Sequence, residues 1–242
     1  MDSRQHAGTL ANCFSCQNRD STEWCVLTKD ELSRFNGCKV TKEFLPGQVI
    51  FHEGDPVSGV YCIEQGLIGF RKTDADGNTT LIALANPGRT MGYRSFLAGE
   101  PHSTSAEALK PSRICIIDRS TVRGLLDRNP ALGFQFLRTV SRDLGQAEAR
   151  FHQGVTLSVR ARFIHLLLVL KERYAGTDED GKLVIELPLS RQDLAAMIGT
   201  RPETLARTIR ALENEGVAHF SGRILRVPDI RALFEDIELE RY

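Results

Sequence analysis

The stretch SRQDLAAMIGTRPETLAR, residues 190–207, restricts the possible folds more than any other part of the chain. Ser190–Asp193 and Thr200–Glu203 both have the Ser/Thr-x-x-Asp/Glu form of a capping box, in which a side-chain oxygen accepts a backbone N–H of the first helical turn. Two helices are therefore predicted to begin ten residues apart. Because the small Ala195 and the turn residue Gly199 allow such helices to cross closely, the stretch predicts a helix-turn-helix.

The second of these helices carries side chains suited to reading base pairs in a major groove. Glu203 is predicted to accept from a cytosine amino group, and Arg207, one turn later, to bind guanine O6 and N7 in bidentate fashion. Side chains around them are predicted to contact phosphate, which positions a helix without reading sequence. These are Arg191, Gln192, Arg201, Thr204 and Arg210. In the alternative interpretation Glu203 only completes its capping box, and Arg207 and Arg210 only occupy a solvated face.

Residues 158–242 are predicted to form the whole DNA-binding domain. A helix is expected over residues 159–174, and HFSGRILRV, residues 219–227, predicts a hairpin with Arg223 at its tip. Such a hairpin beside a helix-turn-helix is a wing. The 31 basic and 31 acidic residues cancel, so any DNA-binding surface has to be local rather than a property of the whole chain.

Residues 38–120 show the pattern of an antiparallel β domain. Short segments rich in Val, Ile and Phe, such as GQVIFHEGD and SGVYCIEQGLIGFRKT, are separated by glycine turns, and no alternation of strand and helix is visible. The pattern predicts a barrel or sandwich. Together with the helical regions, it gives an α+β fold class.

Residues 121–157 change to a helical period with an apolar stripe, which predicts a homodimer seam. A helix that packs only on its own β domain would show the same stripe. A helix of this length has more apolar surface than one small barrel covers, which favours pairing. The stripe consists of Leu137, Val140, Leu144, Ala147 and Phe151.

The N-terminal segment, residues 1–37, contains CFSCQNRDSTEWC, with Cys13, Cys16 and Cys25. No leader is visible, and the longest apolar run, residues 163–170, is too short to span a bilayer, so a cytoplasmic protein without membrane contact is expected. In a reducing compartment, clustered cysteines favour a metal or redox role over structural disulfides. No motif of a catalytic nucleophile, phosphate loop or metalloprotease is visible, and a non-enzymatic protein is predicted.

The domain order resembles the cyclic-AMP receptor and fumarate-nitrate-reductase regulator (CRP/FNR) superfamily of bacterial transcription factors. The likeness rests on PGQVIFHEGD, YCIEQGLIGF and SRQDLAAMIGTRPETLAR and covers nearly the whole chain. It implies an N-terminal cyclic-nucleotide-binding-like jelly roll, a long dimerisation helix and a C-terminal winged helix-turn-helix. It also implies a homodimer that binds a palindromic site in double-stranded DNA and recruits RNA polymerase.

The residues at the expected nucleotide pocket argue against cyclic AMP. Nucleotide-binding members carry a Gly-Glu pair for the ribose and later an Arg for the cyclic phosphate. Here Tyr93 follows Gly92, and His102 stands before Ser103. The pocket thus lacks the charge-assisted hydrogen bonds that a cyclic phosphate requires, although Arg94 offers one substitute contact.

The oxygen-sensing branch of the superfamily offers a role for the cysteines. Its members resemble this chain in having three N-terminal cysteines and a fourth on a late barrel strand, where Cys115 stands. The resemblance implies that Cys13, Cys16, Cys25 and Cys115 bind a 4Fe-4S cluster, whose loss to oxygen or nitric oxide would release the segment and weaken the dimer. The spacing between Cys16 and Cys25 is longer than usual in that branch.

Other roles for these residues stay open. The Cys-x2-Cys pair also suits zinc or a thiol-disulfide couple, or the cysteines have no cofactor role. A regulator that binds haem, through His52 or His102, or another small molecule in the barrel is the alternative function. Cys38 and Cys62 are predicted to be small buried hydrophobic residues.

Overall fold

The structure, a computed structural model, describes residues 12–178 and 182–238. The other residues of the predicted N-terminal cysteine segment and of the predicted DNA-binding domain lie outside the described residues. No helix in the described part of the chain is long and apolar enough to cross a membrane.

The chain divides into two units within its longest helix. The first unit runs to Leu144 and the second begins at Gly145, while Thr80–Ile82 group with the second. The first unit holds the β domain and the second the helix-turn-helix.

The β domain consists of two antiparallel four-stranded sheets. In chain order, strands β1 to β8 are Val40–Phe44, Val49–Phe51, Gly59–Gln65, Ile68–Thr73, Thr79–Ala85, Thr90–Met91, Ser105–Ala108 and Ser112–Asp118. The sheets have the orders β1-β8-β3-β6 and β2-β7-β4-β5. Because successive residues of a strand point to opposite faces, each sheet turns one row of apolar side chains inward. The side chains that fill the interior include Phe51, Tyr61, Ile63, Ile68 and Ile114.

Helices α1 to α4 accompany this β domain along the chain, at Lys29–Cys38, Tyr93–Ala98, Arg119–Arg128 and Pro130–Thr156. Thr28 and Glu31 form a capping box at α1. Asp118 caps α3, and hydrogen bonds from Ser120 and Thr121 lower the pKa of its carboxyl to about 2. The predicted helical region 121–157 is thus broken before Pro130, because proline has no N–H to donate and suits the first position of a new helix.

A second apolar core lies on the outer face of the sheet β1-β8-β3-β6. The N-terminal segment, α1, α3 and the first turns of α4 cover this face. The buried residues of this core include Trp24, Phe35, Val60, Ile117 and Phe136. The sheet is therefore buried on both faces, and the cysteine-containing segment is part of the packed unit.

The second unit contains the predicted winged helix-turn-helix. Its helices α5 to α8 are Val159–Tyr174, Arg191–Met197, Pro202–Asn214 and Ile230–Glu238, and its strands β9 to β12 are Ala175–Thr177, Leu183–Glu186, His219–Ser221 and Ile224–Val227. The sheet order is β11-β12-β10-β9, and β11 and β12 form the wing through Gly222, whose φ is 59°. The predicted α+β fold, with jelly roll, long helix and winged helix-turn-helix, is confirmed.

The start of α7 differs from the sequence prediction. Ser190 caps α6 as predicted, since its Oγ accepts from the backbone N–H of Asp193 at 3.1 Å. Thr200 does not cap α7: Arg201 is the N-cap and Pro202 the first helical residue. The fixed φ of proline makes it a good first residue, and this preference outweighs the capping box that Thr200 and Glu203 predicted.

Candidate functional site

Four polar side chains form a row across the outer face of the sheet β1-β8-β3-β6. In the register of this sheet Thr41 lies opposite Cys115, Cys115 opposite Cys62, and Cys62 opposite Thr90. Residues directly opposite on antiparallel strands point to the same face. Thr41 Oγ1 is 3.7 Å from Cys115 Sγ, and Thr90 Oγ1 is 3.9 Å from Cys62 Sγ. We call this row, with Cys13 and Cys16 from the covering segment, the cysteine face.

Cys13 and Cys16 approach the row from the N-terminal segment. The Cys13 backbone N–H donates to Asn36 Oδ1 at 2.9 Å, which ties the segment to α1. Burial raises the pKa of the Cys13 thiol to about 11; Lys39 opposes this, while Cys115, Cys16 and Glu64 add to it. Burial likewise raises the pKa of the Cys115 thiol, with Cys16 among the nearby groups. Three of the predicted ligands are thus brought together.

Cys25 is not part of this group. It lies exposed on the 3-10 turn Glu23–Val26. Within residues 12–178 and 182–238, no three Cys, His, Asp or Glu side chains converge closely enough to hold a metal ion. Thiolates are the ligands of iron-sulfur clusters, so Cys13, Cys16 and Cys115 fit a cluster by chemistry. As placed, however, these three do not form a metal-binding group, and Cys25 lies apart from them.

The two remaining cysteines differ from their predicted environment. Cys38 was predicted to be buried, but it is exposed at the last residue of α1, whose buried side chains are Leu32 and Phe35. Cys62 is half-buried, and it lies opposite Cys115 rather than inside the barrel. The alternation in GVYCIEQ, which turns Tyr61 and Ile63 inward, is a sequence signal that could have placed Cys62 on the outer face.

A buried carboxylate connects the cysteine segment to α4. Glu23 Oε1 accepts from the Thr139 hydroxyl at 2.7 Å, and Glu23 Oε2 accepts from the Thr90 hydroxyl at 2.6 Å. The Trp24 indole N–H donates to Thr90 Oγ1 at 3.2 Å. Glu23, Thr90 and Thr139 are all buried. The turn that carries Cys25 is therefore bonded to both the sheet and α4, an arrangement that no sequence motif signalled.

A second set of hydrogen bonds, to Asp143, holds the next turn of α4 to the barrel. Arg89 Nη2 donates to the two carboxylate oxygens of Asp143 at 2.6 and 2.8 Å. The Tyr93 hydroxyl also donates to Asp143, and burial followed by this hydrogen bond raises the Tyr93 pKa. Tyr93 begins α2, the helix at the position of the expected nucleotide pocket.

The interior of the barrel near α2 is occupied by aromatic rings. His102 is buried and stacks on Phe51, with ring centroids 3.9 Å apart. Its Nε2 has no hydrogen-bond partner, and burial lowers its pKa. Gly92 has a φ of 77°, and a Cβ there would lie 3.1 Å from the Tyr61 ring. Arg94 donates to Ser103 Oγ at 3.3 Å from an exposed position, and His52, the other candidate haem ligand, is exposed.

Most of the predicted dimer seam is exposed on α4. Leu137, Leu144 and Phe151 are 60%, 59% and 77% exposed, and Ala147 is exposed as well. Val140 differs, because it is half-buried against the outer core of the β domain. The exposed stripe extends further than predicted, since it also includes Phe134 and Val155.

The recognition helix α7 presents the predicted base-reading residues to solvent. Leu205, Ile209 and Leu212 are buried, whereas Glu203 and Arg207 are exposed. Arg207 Nη2 donates to Thr204 Oγ1 at 3.2 Å, so these two side chains already contact each other.

The predicted phosphate contacts fall into two environments. Arg201, Arg210 and Gln192 are exposed. Arg191 instead lies over the Phe220 ring at 4.7 Å and donates to the Gly222 carbonyl at 3.5 Å. Burial lowers the pKa of its guanidinium. Arg191 therefore connects α6 to the wing. Its predicted contact with DNA phosphate stays a prediction.

Two family models match separate parts of the chain. The model of the cyclic nucleotide-binding domain matches residues 41–129, and that of the Crp-like helix-turn-helix domain matches residues 161–235. These ranges correspond to the β domain with α3 and to the winged helix-turn-helix. Together they cover more than half of the chain.

Known regulators are similar over most of their length. The CRP-like cAMP-activated global transcriptional regulator of Mycobacterium tuberculosis is 25% identical over 79% of this chain and 85% of its own. The anaerobic regulatory protein of Pasteurella multocida is 24% identical over 91% of this chain and 81% of its own. A crystal structure of a CRP/FNR-family transcriptional regulator from Thermus thermophilus superimposes with a TM-score of 0.68 and 27% identity, covering 82% of this chain and 98% of that one. The chain belongs to the CRP/FNR family of DNA-binding transcriptional regulators.

Proposed function

We propose that this DNA-binding regulator is a homodimer that reads a palindromic site and is controlled by an oxygen- or redox-labile 4Fe-4S cluster at the cysteine face. The observation that supports the control is the proximity of Cys13 and Cys16 to Cys115, in a segment whose Glu23 is bonded to α4. A cluster bound there would supply a group that oxygen or nitric oxide destroys. The sequence prediction names Cys25 as the fourth ligand.

The chain's own residues provide the coupling in this proposal. Since the Cys13 thiol is protonated at neutral pH, metal binding has to release its proton, and binding therefore tightens as pH rises. The segment and α4 share the carboxylate of Glu23. A displacement of the segment would leave that carboxylate without Thr139, and the position of α4 would change with it.

Iron analysis tests this control. Protein purified without oxygen should show a broad absorption near 400 nm and about four irons with matching sulfide per chain. Exposure to air should remove both signals and lower DNA affinity. Gel filtration with and without air then decides whether the dimer dissociates or rearranges. A colourless, iron-free protein that binds its DNA site would contradict the proposal and favour the thiol-redox or barrel-ligand alternatives.

The DNA-reading part of the proposal assigns Glu203 and Arg207 to base edges and the surrounding exposed side chains to phosphate. Two recognition helices on a two-fold dimer would meet a palindrome, with the exposed stripe of α4 as the seam. We propose RNA polymerase as the further partner, as the family resemblance implies. Each base contact is worth about 1–3 kcal/mol of discrimination.

A double exchange tests the reading residues. Glu203→Ala with Arg207→Ala should abolish preference for the selected site while weak, salt-sensitive binding remains. The matched control exchanges an exposed pair of the same charges in the first unit, Glu100→Ala with Arg123→Ala. A double variant that still selects the same site would show that α7 does not read the sequence.

A further inference from the structure

Cys62 has no part in the proposed function, yet it lies beside the residue on which that function depends. We infer that Cys62 and Cys115 are a cross-strand redox pair that forms a disulfide when a peroxide oxidises the protein. The two residues are directly opposite each other on the antiparallel strands β3 and β8. Both are free thiols in this structure.

The geometry of the sheet suits this bond. Directly opposite residues of antiparallel strands have Cα atoms about 4.5–5.5 Å apart, and disulfides span about 4.4–6.8 Å between Cα atoms. Their side chains point to the same face of the sheet. β3 and β8 are paired in constant register from Gly59 to Ile63, a run that includes Cys62, and the register shifts only between Ile63 and Gln65. Cys13 and Cys16, in contrast, approach Cys115 from an irregular segment.

The burial of both thiols and the composition of the row favour a slow formation of a disulfide that joins only these two cysteines. Burial raises the pKa of both thiols, and that of Cys62 lies well above its ordinary value. The row has no third thiol, because threonines occupy its other two positions, Thr41 and Thr90.

The chemistry requires one hydrogen peroxide molecule. The Cys115 thiolate attacks one peroxide oxygen, the O–O bond breaks, and Cys115 becomes a sulfenic acid as hydroxide leaves and takes up the proton that the Cys115 thiol lost, giving water. The Cys62 sulfur then attacks the Cys115 sulfur, the S–O bond breaks, and a second water carries away the oxygen with the Cys62 proton. Two thiols are oxidised by two electrons, and peroxide is reduced to two waters.

The consequence for iron rests on the proposed function, whereas the disulfide itself does not. A Cys115 that is bonded to Cys62 has no thiolate to offer to a metal. The pair would therefore keep the cysteine face free of iron after peroxide stress until a thiol reductant restores both residues.

Peptide mapping tests the pair directly, because trypsin separates the relevant cysteines. Cys62 falls in residues 43–71 and Cys115 in residues 114–119, while Cys13 and Cys16 share residues 5–19 and Cys25 falls in residues 20–29. Full-length, iron-free, reduced protein is treated with hydrogen peroxide, alkylated and digested. We expect a reductant-sensitive species that joins 43–71 to 114–119.

The outcomes separate the inference from the proposed function. A crosslink from 114–119 to 5–19 or 20–29 instead, or complete alkylation of Cys62 after Cys115 has been oxidised, would overturn the pair. Cys62→Ser should leave Cys115 unlinked, and Cys38→Ser, at an exposed thiol, should keep the link. Iron analysis of the reduced protein decides the cluster independently, since the map is made on iron-free protein.

Discussion

The two faces of the strand pair β3 and β8 have opposite chemistry although their residues alternate along the same strands. The inner face carries Tyr61, Ile63 and Ile114, which pack in the barrel interior. The outer face carries Cys62 and Cys115, over which the N-terminal segment lies. The inner face thus stabilises the fold, and the outer face holds reactive side chains.

The comparison indicates where a signal can act on this protein. The inner face leaves His102 stacked on Phe51 and tilted against Tyr61 in a packed interior. The outer face has free thiols and is bonded to α4 through Glu23 and Thr139. A change on the outer face therefore has a direct route to the helix that carries the predicted dimer seam. Four predictions test this contrast, from the largest expected effect to the smallest.

Exchanges at two neighbouring residues of β8 should separate the faces most strongly. Cys115→Ser, on the outer face, should reduce iron bound after anaerobic purification to background, because the central thiolate of the proposed site is lost. Ile114→Val, on the inner face, should keep the iron and cost about 1 kcal/mol of unfolding free energy. Iron analysis and urea unfolding measure the two effects. Equal iron in both variants would refute the assignment of the outer face as the metal site.

Thr139→Val should destabilise the attachment of the N-terminal segment to α4. It leaves Glu23 Oε1 buried without its 2.7 Å donor, which costs about 2 kcal/mol. Thr139→Ser, which keeps the hydroxyl, is the matched control. Urea unfolding gives the free energy, and proteolysis of the segment reports its release. If valine and serine behave alike, the Glu23 contact does not hold the segment.

Tyr93→Phe should have a smaller effect on the same helix. Asp143 loses the Tyr93 hydroxyl but keeps both hydrogen bonds from Arg89, so the expected loss is about 1 kcal/mol. The ring and its packing against Phe136 stay. Urea unfolding beside Thr139→Val measures whether the two contacts of α4 differ in strength as predicted. A larger loss for Tyr93→Phe would reverse their order.

Burial of His102 on the inner face should make the free energy of unfolding depend weakly on pH. Burial lowers the pKa of His102 below its ordinary 6.5, so as pH falls through 6.5 the His102 side chain takes up a proton more readily in the unfolded chain than in the folded one. Stability therefore falls on acidification in that range. His102→Leu should remove this part of the decline, as measured by urea unfolding above and well below that pH. An unchanged decline would show that His102 is not buried in its neutral form.

The sequence predicted the architecture because hydrophobic periods and turn glycines are local signals. Positions such as Leu205 and Ile209 follow directly from the helical period. The start of α7 was misplaced because two local preferences, those of Thr200 and Pro202, competed. Glu23 was missed because its partners Thr90 and Thr139 are far away along the chain, and only folding brings them together. The pairing of Cys62 with Cys115 likewise depends on strand register, which a single sequence does not specify.

Thr139 and Asp143 attach α4 to its surroundings through separate partners. They lie four residues apart and so on one side of α4, where the first is bound by the N-terminal segment and the second by α2 and Arg89. α4 is thus held by two separate sets of hydrogen bonds. Loss of either set of hydrogen bonds alone leaves the other in place, so displacement of the N-terminal segment is expected to shift α4 and loss of both sets to free it from the barrel.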